Sequence, residues 1–257
     1  MIAEVQATRY VTPLREGGSL PGLVEAADFG TYVVKFRGAG QGLKVLVAEV
    51  IVGELARRLG LRVPELRVLR LDPAIGRYEA DEEVQDLLTA SVGLNLAVDF
   101  LPGSFGWDPG FGVSEREAAM VLWLDAFTAN VDRTWRNPNL LIWHRDLWLI
   151  DHGAALYFHH SWQAGADPKR FAGQPYDSSE HVFAGYAAQL PRVDAELAGL
   201  VDARLLGEIL RLVPDEWLEP AGPLAEPDQL RQAYADYLLA RLANRQAWLP
   251  TPDGTVG

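Results

Sequence analysis

The sequence contains no cysteine. Disulfide bonds, thiolate nucleophiles and cysteine-ligated zinc are therefore excluded, and a reducing cytoplasm is the expected compartment. Long hydrophobic runs are also missing: the most apolar helical stretch, residues 118–131, contains Asp125 and falls short of the ~18 to 20 apolar residues of a membrane helix. The N-terminus has Glu4 where a secretory signal would have a basic region and an apolar run, so we expect neither membrane insertion nor secretion.

Positive charge is in short supply. The 23 Lys and Arg residues are outnumbered by 35 Asp and Glu residues, which gives a formal net charge of −12. This balance argues against nucleic acid or an anionic membrane as a partner, because both attract basic surfaces. Lysine is especially scarce and occurs only at Lys35, Lys44 and Lys169. A lysine inside an apolar strand, as at Lys35, is therefore informative.

Two acids and two asparagines surround one predicted β-hairpin. Residues 140–143 and 147–150 form short apolar runs across a predicted turn, so Asp132 and Asp151 emerge at the same end of the hairpin. A kinase that uses magnesium and ATP needs an acid beside the attacking hydroxyl, an asparagine ligand a few residues on, and a second acid in an Asp-x-Gly turn. Taken singly, each element is also ordinary turn chemistry.

A lysine and a glutamate form a second candidate pair in the first half of the chain. Lys35 lies in the apolar strand 31–36, and Glu49 lies in a predicted helix over residues 43–59, beside apolar positions where an unpaired carboxylate would be costly. Kinases use such a pair to hold the α- and β-phosphates of ATP. Glu54 is a competing partner, and a solvent-facing lysine on an edge strand is the alternative for Lys35.

A glycine- and proline-rich stretch at residues 102–112 separates two compositional halves. It predicts an N-lobe over residues 1–101 and a C-lobe over residues 102–257. Strands are predicted in the first half, including residues 65–71, residues 95–101 and a hairpin with a glycine-rich loop at residues 17–22. Helices are predicted in the second half, at residues 114–130, 191–200, 202–213 and 227–249, and residues 157–180 are predicted as loops. The fold class is thus α+β, with a small β-rich N-lobe and a larger, mainly helical C-lobe.

Several of these elements together resemble the HipA-like kinases, in particular a short bacterial branch that lacks an extra N-terminal subdomain. The similarity spans nearly the whole chain, and it implies a two-lobed protein-kinase-like fold. The Asp-Arg and Ile-Asp-His-Gly elements also resemble phosphoinositide kinases. The segments that carry the resemblance are residues 33–38, 48–49, 130–133, 137–141, 149–156 and 209–218, with Arg231, Tyr234 and Arg241 in the last helix.

The resemblance implies a role for each matching residue. Lys35 would hold phosphates and Glu49 would orient it, while Asp132 would be the catalytic base and Asp151 a Mg²⁺ ligand. Asn137 has the kinase spacing after the catalytic acid, whereas Asn139 has the kinase placement immediately before the strand, so both remain candidates for the second metal ligand. The hinge, which reads adenine through backbone groups, would be Val98, Asp99, Phe100 and Leu101.

Other features fit the family pattern less closely. Neither glycine-rich turn is a standard phosphate-binding sequence, and Gly18 with Ser19 is the favoured candidate because this turn precedes the lysine strand by one hairpin. His152 replaces the phenylalanine of the usual Asp-Phe-Gly element. The remaining histidines, His159, His160 and His181, are expected to have structural or substrate-loop roles, since adjacent histidines on a strand rarely ligate one ion.

The expected function is therefore an ATP- and Mg²⁺-dependent kinase that transfers the γ-phosphoryl group to a hydroxyl. Its acceptor is unknown; the resemblance favours Ser or Thr on a protein. Three alternatives remain open: a nucleotide-binding pseudokinase that serves as an interaction module, a kinase of a small alcohol or inositide, and an AMP transferase.

Overall fold

The computed structural model describes residues 2–14, 20–77, 79–162 and 167–251. The chain has a β-rich N-terminal part and a helical C-terminal part, which confirms the predicted α+β class. It forms two compact units, Met1–Val47 with Pro64–Pro102 and Ala48–Val63 with Gly103–Gly257. These units interleave in sequence and divide helix α1 (Leu43–Arg58), so the lobes at residues 1–101 and 102–257 stay a prediction. No helix among the described residues is long and apolar enough to cross a membrane.

The first unit contains a closed β-barrel. Its strand order is β1-β2-β3-β5-β4; β1 and β4 close the barrel in parallel, and the other neighbours pair antiparallel. Burial alternates along β2 and β3, so every second side chain enters the core. The strands are β1 (Glu4–Pro13), β2 (Gly22–Ala26), β3 (Thr31–Lys35), β4 (Leu66–Leu71) and β5 (Gly93–Asp99).

Helix α2 (Glu82–Ala90) covers one part of the barrel core and was not predicted from the sequence. It begins at Asp81, whose carboxylate accepts hydrogen bonds from the N–H groups of Glu83 and Val84. Val84 and Leu88 are its buried residues, and both join the barrel core. The helix spans only nine residues, so it offers few positions from which a helical period could be recognised in the sequence.

The second unit is built around helix α3 (Glu115–Thr128), which is buried on all sides from Ala118 onward. The side chain of Ser114 accepts a hydrogen bond from the N–H of Glu117 at 3.1 Å, so the helix begins where its cap residue predicts. Around it lie a small sheet and further helices: β6 (Phe105–Gly106), β7 (Leu140–Trp143), β8 (Asp146–Leu149), α4 (Leu190–Leu200), α5 (Ala203–Leu210), α6 (Pro227–Ala243) and α7 (Arg245–Trp248). Asn244 interrupts the helix predicted over residues 227–249. Short 3₁₀ helices occupy Tyr157–Ser161 and Pro168–Phe171 in the region predicted as loops.

The C-terminal end of α3 is fixed by a buried arginine from α6. Arg241 is 1 % exposed, and its guanidinium donates to the carbonyl oxygens of Ala126 at 2.7 Å and Phe127 at 2.8 Å. Helix ends leave such carbonyls without an intrahelical partner. Ala129 then turns the chain out of the helix in a left-handed conformation (φ 54°). The loop that contains Asp132 therefore starts from a rigid point.

Candidate active site

Lys35 is the last residue of β3, in the first unit, and its backbone pairs with Leu96 of β5. Its side chain is half-buried. The chain that leaves the strand is held by Asn95, a fully buried residue whose Oδ1 accepts a hydrogen bond from the N–H of Arg37 at 2.9 Å. The position of Lys35 is thus set by the backbone pairing between β3 and β5 and by the anchored turn that follows β3.

The glycine-rich turn after β3 packs tightly against the end of α2. The N–H of Gly38 donates to the hydroxyl of Ser91 at 3.1 Å, and a Cβ atom at this glycine would lie 2.7 Å from the carbonyl carbon of Ala90. Gly38 therefore has a packing role. The other glycine-rich turn contains the candidate phosphate-binding residues Gly18 and Ser19, which lie outside the described residues.

The candidate hinge, residues 98–101, begins within the last two residues of β5. The N–H of Asp99 donates to the carbonyl of Glu65 at 2.8 Å, and the N–H of Phe100 donates to the carbonyl of Thr31 at 3.0 Å. Burial, with help from the nearby Glu65, raises the pKa of the Asp99 carboxyl. Leu101 is buried (4 % exposed). The backbone N–H groups of Asp99 and Phe100 therefore already donate to backbone carbonyls of the first unit.

Two glutamates of α1 were candidates to pair with Lys35, and they differ in their surroundings. Glu54 forms an ion pair with Arg57, one helical turn away, with 3.4 Å between Oε1 and Nη1. Glu49 is only 3 % exposed, among residues that are almost all buried. A carboxylate in such a position needs a cation or hydrogen-bond donors.

Asp132 and both candidate asparagines lie together in the second unit. The Nδ2 atom of Asn137 lies 2.9 Å from Oδ2 of Asp132, and the Nδ2 atom of Asn139 lies 3.2 Å from the same oxygen. The backbone N–H of Asp132 donates to Oδ1 of Asn130 at 3.2 Å. Two amide donors on one carboxylate oxygen fix its orientation.

The hairpin places Asn139 beside Asp151. Strands β7 and β8 pair in register, and the N–H of Ile150 donates to the carbonyl of Asn139 at 3.1 Å. Asn139 (φ 50°) and Asp151 (φ 55°) both have left-handed backbone conformations, which Asn and Asp tolerate better than most residues. At the other end, His144 (φ 51°) and Arg145 (φ 71°) form the two-residue turn, as a tight hairpin requires.

Arg133 connects the Asp132 loop to the Asp151 turn. Its side chain is fully buried, and Nη1 donates to the carbonyls of Asn139 at 2.5 Å and Ile150 at 3.2 Å. Its Nη2 atom lies 3.2 Å from Nδ1 of His152. Arginine can only donate, so Nδ1 of His152 is the acceptor in this contact. His152, which replaces the usual phenylalanine, thus helps to hold Arg133 in place.

A buried carboxylate on α3, Asp125, is the centre of this support. Its Oδ1 accepts from Nδ2 of Asn130 at 2.9 Å, and its Oδ2 accepts from Nε of Arg133 at 2.6 Å and from Nε2 of His181 at 3.1 Å. The N–H of Phe183 donates to Nδ1 of His181, which fixes the tautomer that donates to Asp125. Burial alone would raise the pKa of Asp125, but Arg133 and His181 outweigh it and hold this pKa at about 2.

The segment around His181 also clamps the Asp132 loop through the backbone. The N–H of Trp135 donates to the carbonyl of Glu180, and the N–H of Val182 donates to the carbonyl of Arg133, both at 3.1 Å. Thr134 and His181 form an isolated antiparallel bridge. The two hydrogen bonds, one on each side of the bridge, attach the backbone of the Asp132 loop to the His181 segment.

Sequence reasoning missed the central role of Asp125 and gave His181 only a generic structural role. The available signal was the acid itself, since a carboxylate in the middle of an apolar helix requires buried partners. The identity of those partners was not readable, because His181 lies 56 residues further along the chain.

The oxygen ligands available at the open end of the β7–β8 hairpin suit magnesium. Mg²⁺ prefers hard oxygen ligands and is usually held by one or two carboxylates together with substrate phosphates and water. The Asp151 carboxylate and an asparagine amide oxygen match that preference. Over residues 2–14, 20–77, 79–162 and 167–251, no group of three or more His, Cys, Asp and Glu side chains is arranged to hold a metal ion.

Comparison with known structures shows the fold. A Helicobacter pylori proinflammatory kinase, CtkA, aligns over 96 % of this chain and 98 % of its own, with a TM-score of 0.56 and 10 % sequence identity. The Golgi casein kinase aligns over 96 % of this chain and 72 % of its own, with a TM-score of 0.43 and 12 % identity. The MAP kinase LmaMPK10 from Leishmania major gives a TM-score of 0.25 at 10 % identity, over 95 % of this chain and 80 % of its own. The first of these identifies a kinase fold.

Comparison of sequences identifies the family. No curated protein matches the chain. The family described as HipA-like kinase matches residues 8–251, which confirms the resemblance carried by the individual motifs. Since this match covers nearly the whole sequence, the chain belongs to the HipA-like kinase family of phosphotransferases.

Proposed function

We propose that this chain is an ATP- and Mg²⁺-dependent kinase that transfers the γ-phosphoryl group of ATP to a hydroxyl, with Ser or Thr of a protein as the acceptor. Family membership implies the use of ATP. The observation that carries the proposal is the Asp132 carboxylate, which is held by the amides of Asn137 and Asn139 beside the hairpin that leads into Asp151. Ordinary turn chemistry does not require two amide donors on one carboxylate oxygen.

Asp132 is the proposed proton acceptor. In the reaction, the acceptor oxygen forms a bond to the γ-phosphorus while the bond from this phosphorus to the β,γ-bridging oxygen breaks, and ADP leaves with that electron pair. The hydroxyl proton passes to the Asp132 carboxylate. The hydrogen bonds from Asn137 and Asn139 orient the carboxylate before the hydroxyl arrives.

The position of Asn139 supports a division of labour between the two asparagines. Its backbone carbonyl accepts a hydrogen bond from the N–H of Ile150, the residue before Asp151, and Asn139 and Asp151 both have left-handed backbone conformations. We assign Asp151 and the Oδ1 atom of Asn139 to Mg²⁺, and we assign Asn137 to the orientation of Asp132. When bound, the metal neutralises charge on the phosphates.

The nucleotide contacts are proposed from residue positions within each unit. Lys35 is assigned to the phosphates, and Glu49 is assigned to the catalytic machinery in preference to Glu54, which already pairs with Arg57. Gly18 and Ser19 are the proposed phosphate-loop residues. In the hinge, the backbone N–H groups of Asp99 and Phe100 already donate to backbone carbonyls. We therefore assign the backbone N–H of Leu101 as the group that donates to adenine, with hinge carbonyls as acceptors.

The test is an intact-mass measurement. The chain is incubated with ATP and a mixture of protein acceptors, small alcohols and inositides, with Mg²⁺ or with a chelator. A mass gain of one phosphoryl group that requires Mg²⁺ supports the kinase, whereas a gain of one AMP supports the AMP transferase. No mass gain on any acceptor and no ATP turnover would favour the pseudokinase.

Asp151→Asn is the matched variant, because Asn tolerates the left-handed backbone at this position and removes only the charge. We expect it to abolish the Mg²⁺-dependent mass gain while the fold is retained. Transfer that persists at the wild-type rate in this variant would contradict the metal assignment.

A further inference from the structure

Two large apolar side chains on the Asp132 loop are exposed. Val131 is 60 % exposed and Trp135 is 59 % exposed, whereas Asn130 and Arg133 in the same loop are buried. A single exposed apolar residue is ordinary on a protein surface. Two of them on either side of a candidate catalytic base are a more informative arrangement. Val131 adjoins Asp132 in sequence, and Trp135 follows three residues later, within ~11 Å of Asp132 even in a fully extended chain.

Trp135 is held in its exposed position by several contacts. Its backbone N–H donates to the backbone carbonyl of Glu180 at 3.1 Å, and the guanidinium of Arg136 lies 4.1 Å from the centre of the indole ring. Arg136 in turn forms an ion pair with Glu180 at 2.9 Å. The backbone anchor and the stacked guanidinium restrict the ring, so a ligand that contacts it loses little additional conformational freedom.

The charges around Trp135 offset each other. Arg136 and Glu180 compensate one another through their ion pair, so the surface that they frame offers apolar contact without a local excess of either sign. An anionic headgroup or phosphate would find no uncompensated cation in this pair. An apolar side chain would find the face or edge of an indole.

We propose that Val131 and Trp135 form an acceptor platform that selects protein segments carrying an apolar side chain within a few residues of the phosphorylated Ser or Thr. The inference rests on the proposed function. The acceptor hydroxyl must come within hydrogen-bond distance of Asp132, so the residues next to it in an extended segment pass over the neighbours of Asp132 in this loop. A small alcohol has no such neighbouring residues and gains nothing from the platform.

The experiment uses peptide mixtures with a central Ser or Thr, in which each flanking position is fixed in turn as one amino acid. Phosphoryl transfer from ATP is measured for the wild-type chain, Trp135→Ala, Trp135→Phe and Phe29→Ala. Phe29 is the matched control, since it is an aromatic residue that is 100 % exposed and belongs to the other compact unit. ATP turnover without a peptide and the melting temperature are recorded for every variant.

We expect wild type to favour apolar residues at one or two flanking positions. Trp135→Ala should raise KM for the favoured peptides by ~10-fold, as expected for the loss of about one aromatic contact, while ATP turnover without peptide and the melting temperature stay near wild type. Trp135→Phe should retain most of the selection, and Phe29→Ala should retain all of it.

Three results would overturn the acceptor platform. They are peptide transfer without selection for apolar flanking residues, selection that is unchanged in Trp135→Ala, and transfer to small alcohols with none to peptides. The last would leave phosphoryl transfer itself intact but would also overturn the proposed protein acceptor. The proposed function fails separately if wild type with ATP and Mg²⁺ transfers phosphate to no acceptor and turns over no ATP, and the platform then fails with it.

Discussion

The Nε atom of Arg133 lies 2.6 Å from Oδ2 of Asp125, and both side chains are fully buried. This ion pair joins the central helix of the second unit to the loop that contains Asp132. The same guanidinium donates to the backbone carbonyls of Asn139 and Ile150, which flank the two strands of the hairpin. Asp125 therefore acts as a positioning residue: it holds Arg133, and Arg133 holds the backbone that carries Asp132 and Asp151.

Substitution of Asp125 should be strongly destabilising. Asp125→Asn leaves the Arg133 guanidinium buried without a counter-charge, and the free energy of unfolding should fall by ~3 kcal/mol or more. Denaturant titration measures this change. Glu196→Gln is the control, because it removes one member of an exposed ion pair with Arg116, for which a loss of ~1 kcal/mol or less is expected. Equal effects of the two substitutions would contradict the positioning role.

The same carboxylate should contribute to the pH dependence of stability. The pKa of Asp125 is about 2 in the folded chain, and it is ~3.9 for an unperturbed Asp in an unfolded chain. A lowered pKa stabilises the folded state above the unfolded-state pKa, and this contribution is lost as the pH falls through the folded-state pKa. The stability gap between wild type and Asp125→Asn should therefore narrow below about pH 5, by ~3 kcal/mol in total. A gap that widens towards acid would contradict this assignment.

Local patterns in the sequence were sufficient for the parts of the site that are close along the chain. The apolar period predicted α1, and the turn chemistry around residues 140–150 predicted the hairpin that places Asn139 next to Asp151. Asp125 was visible only as an acid in an apolar helix, because its partner His181 is distant in sequence and no periodic pattern specifies such a pair. Helix α2 was missed for a different reason, since its nine residues give few positions from which a period could be recognised.

The turn after the lysine strand should tolerate a methyl group at one glycine and reject it at another. In Gly38→Ala the new Cβ would meet the backbone of Ala90 at 2.7 Å, so we expect a loss of ~1 to 3 kcal/mol. Gly40→Ala places its Cβ in open space with no other atom within 4 Å, and it should be neutral or slightly stabilising. Denaturant unfolding of both variants checks the difference, and a tolerated Gly38→Ala would show that this turn is not anchored as described.

The two asparagines should fail in different ways. Asn139→Gly removes the side chain without straining the left-handed backbone, and the Mg²⁺ concentration for half-maximal ATP turnover should rise by ~10-fold or more. Asn137→Ala should lower the maximal transfer rate while that Mg²⁺ concentration stays near wild type, because this residue orients Asp132. Magnesium titrations of both variants separate the roles, and the reverse pattern would assign the metal to Asn137.

The most direct test of the account is the rate of phosphoryl transfer by Asp132→Asn, measured together with its affinity for ATP in the presence of Mg²⁺. We predict that transfer falls by ~10²-fold or more, because the proton acceptor is lost, while ATP affinity remains within about twofold of wild type. Asp108→Asn, at an exposed acid that caps a turn in the same unit, should transfer phosphate at the wild-type rate. If wild type transfers phosphate and Asp132→Asn does so at an undiminished rate, Asp132 is a turn residue and the proposed mechanism is wrong.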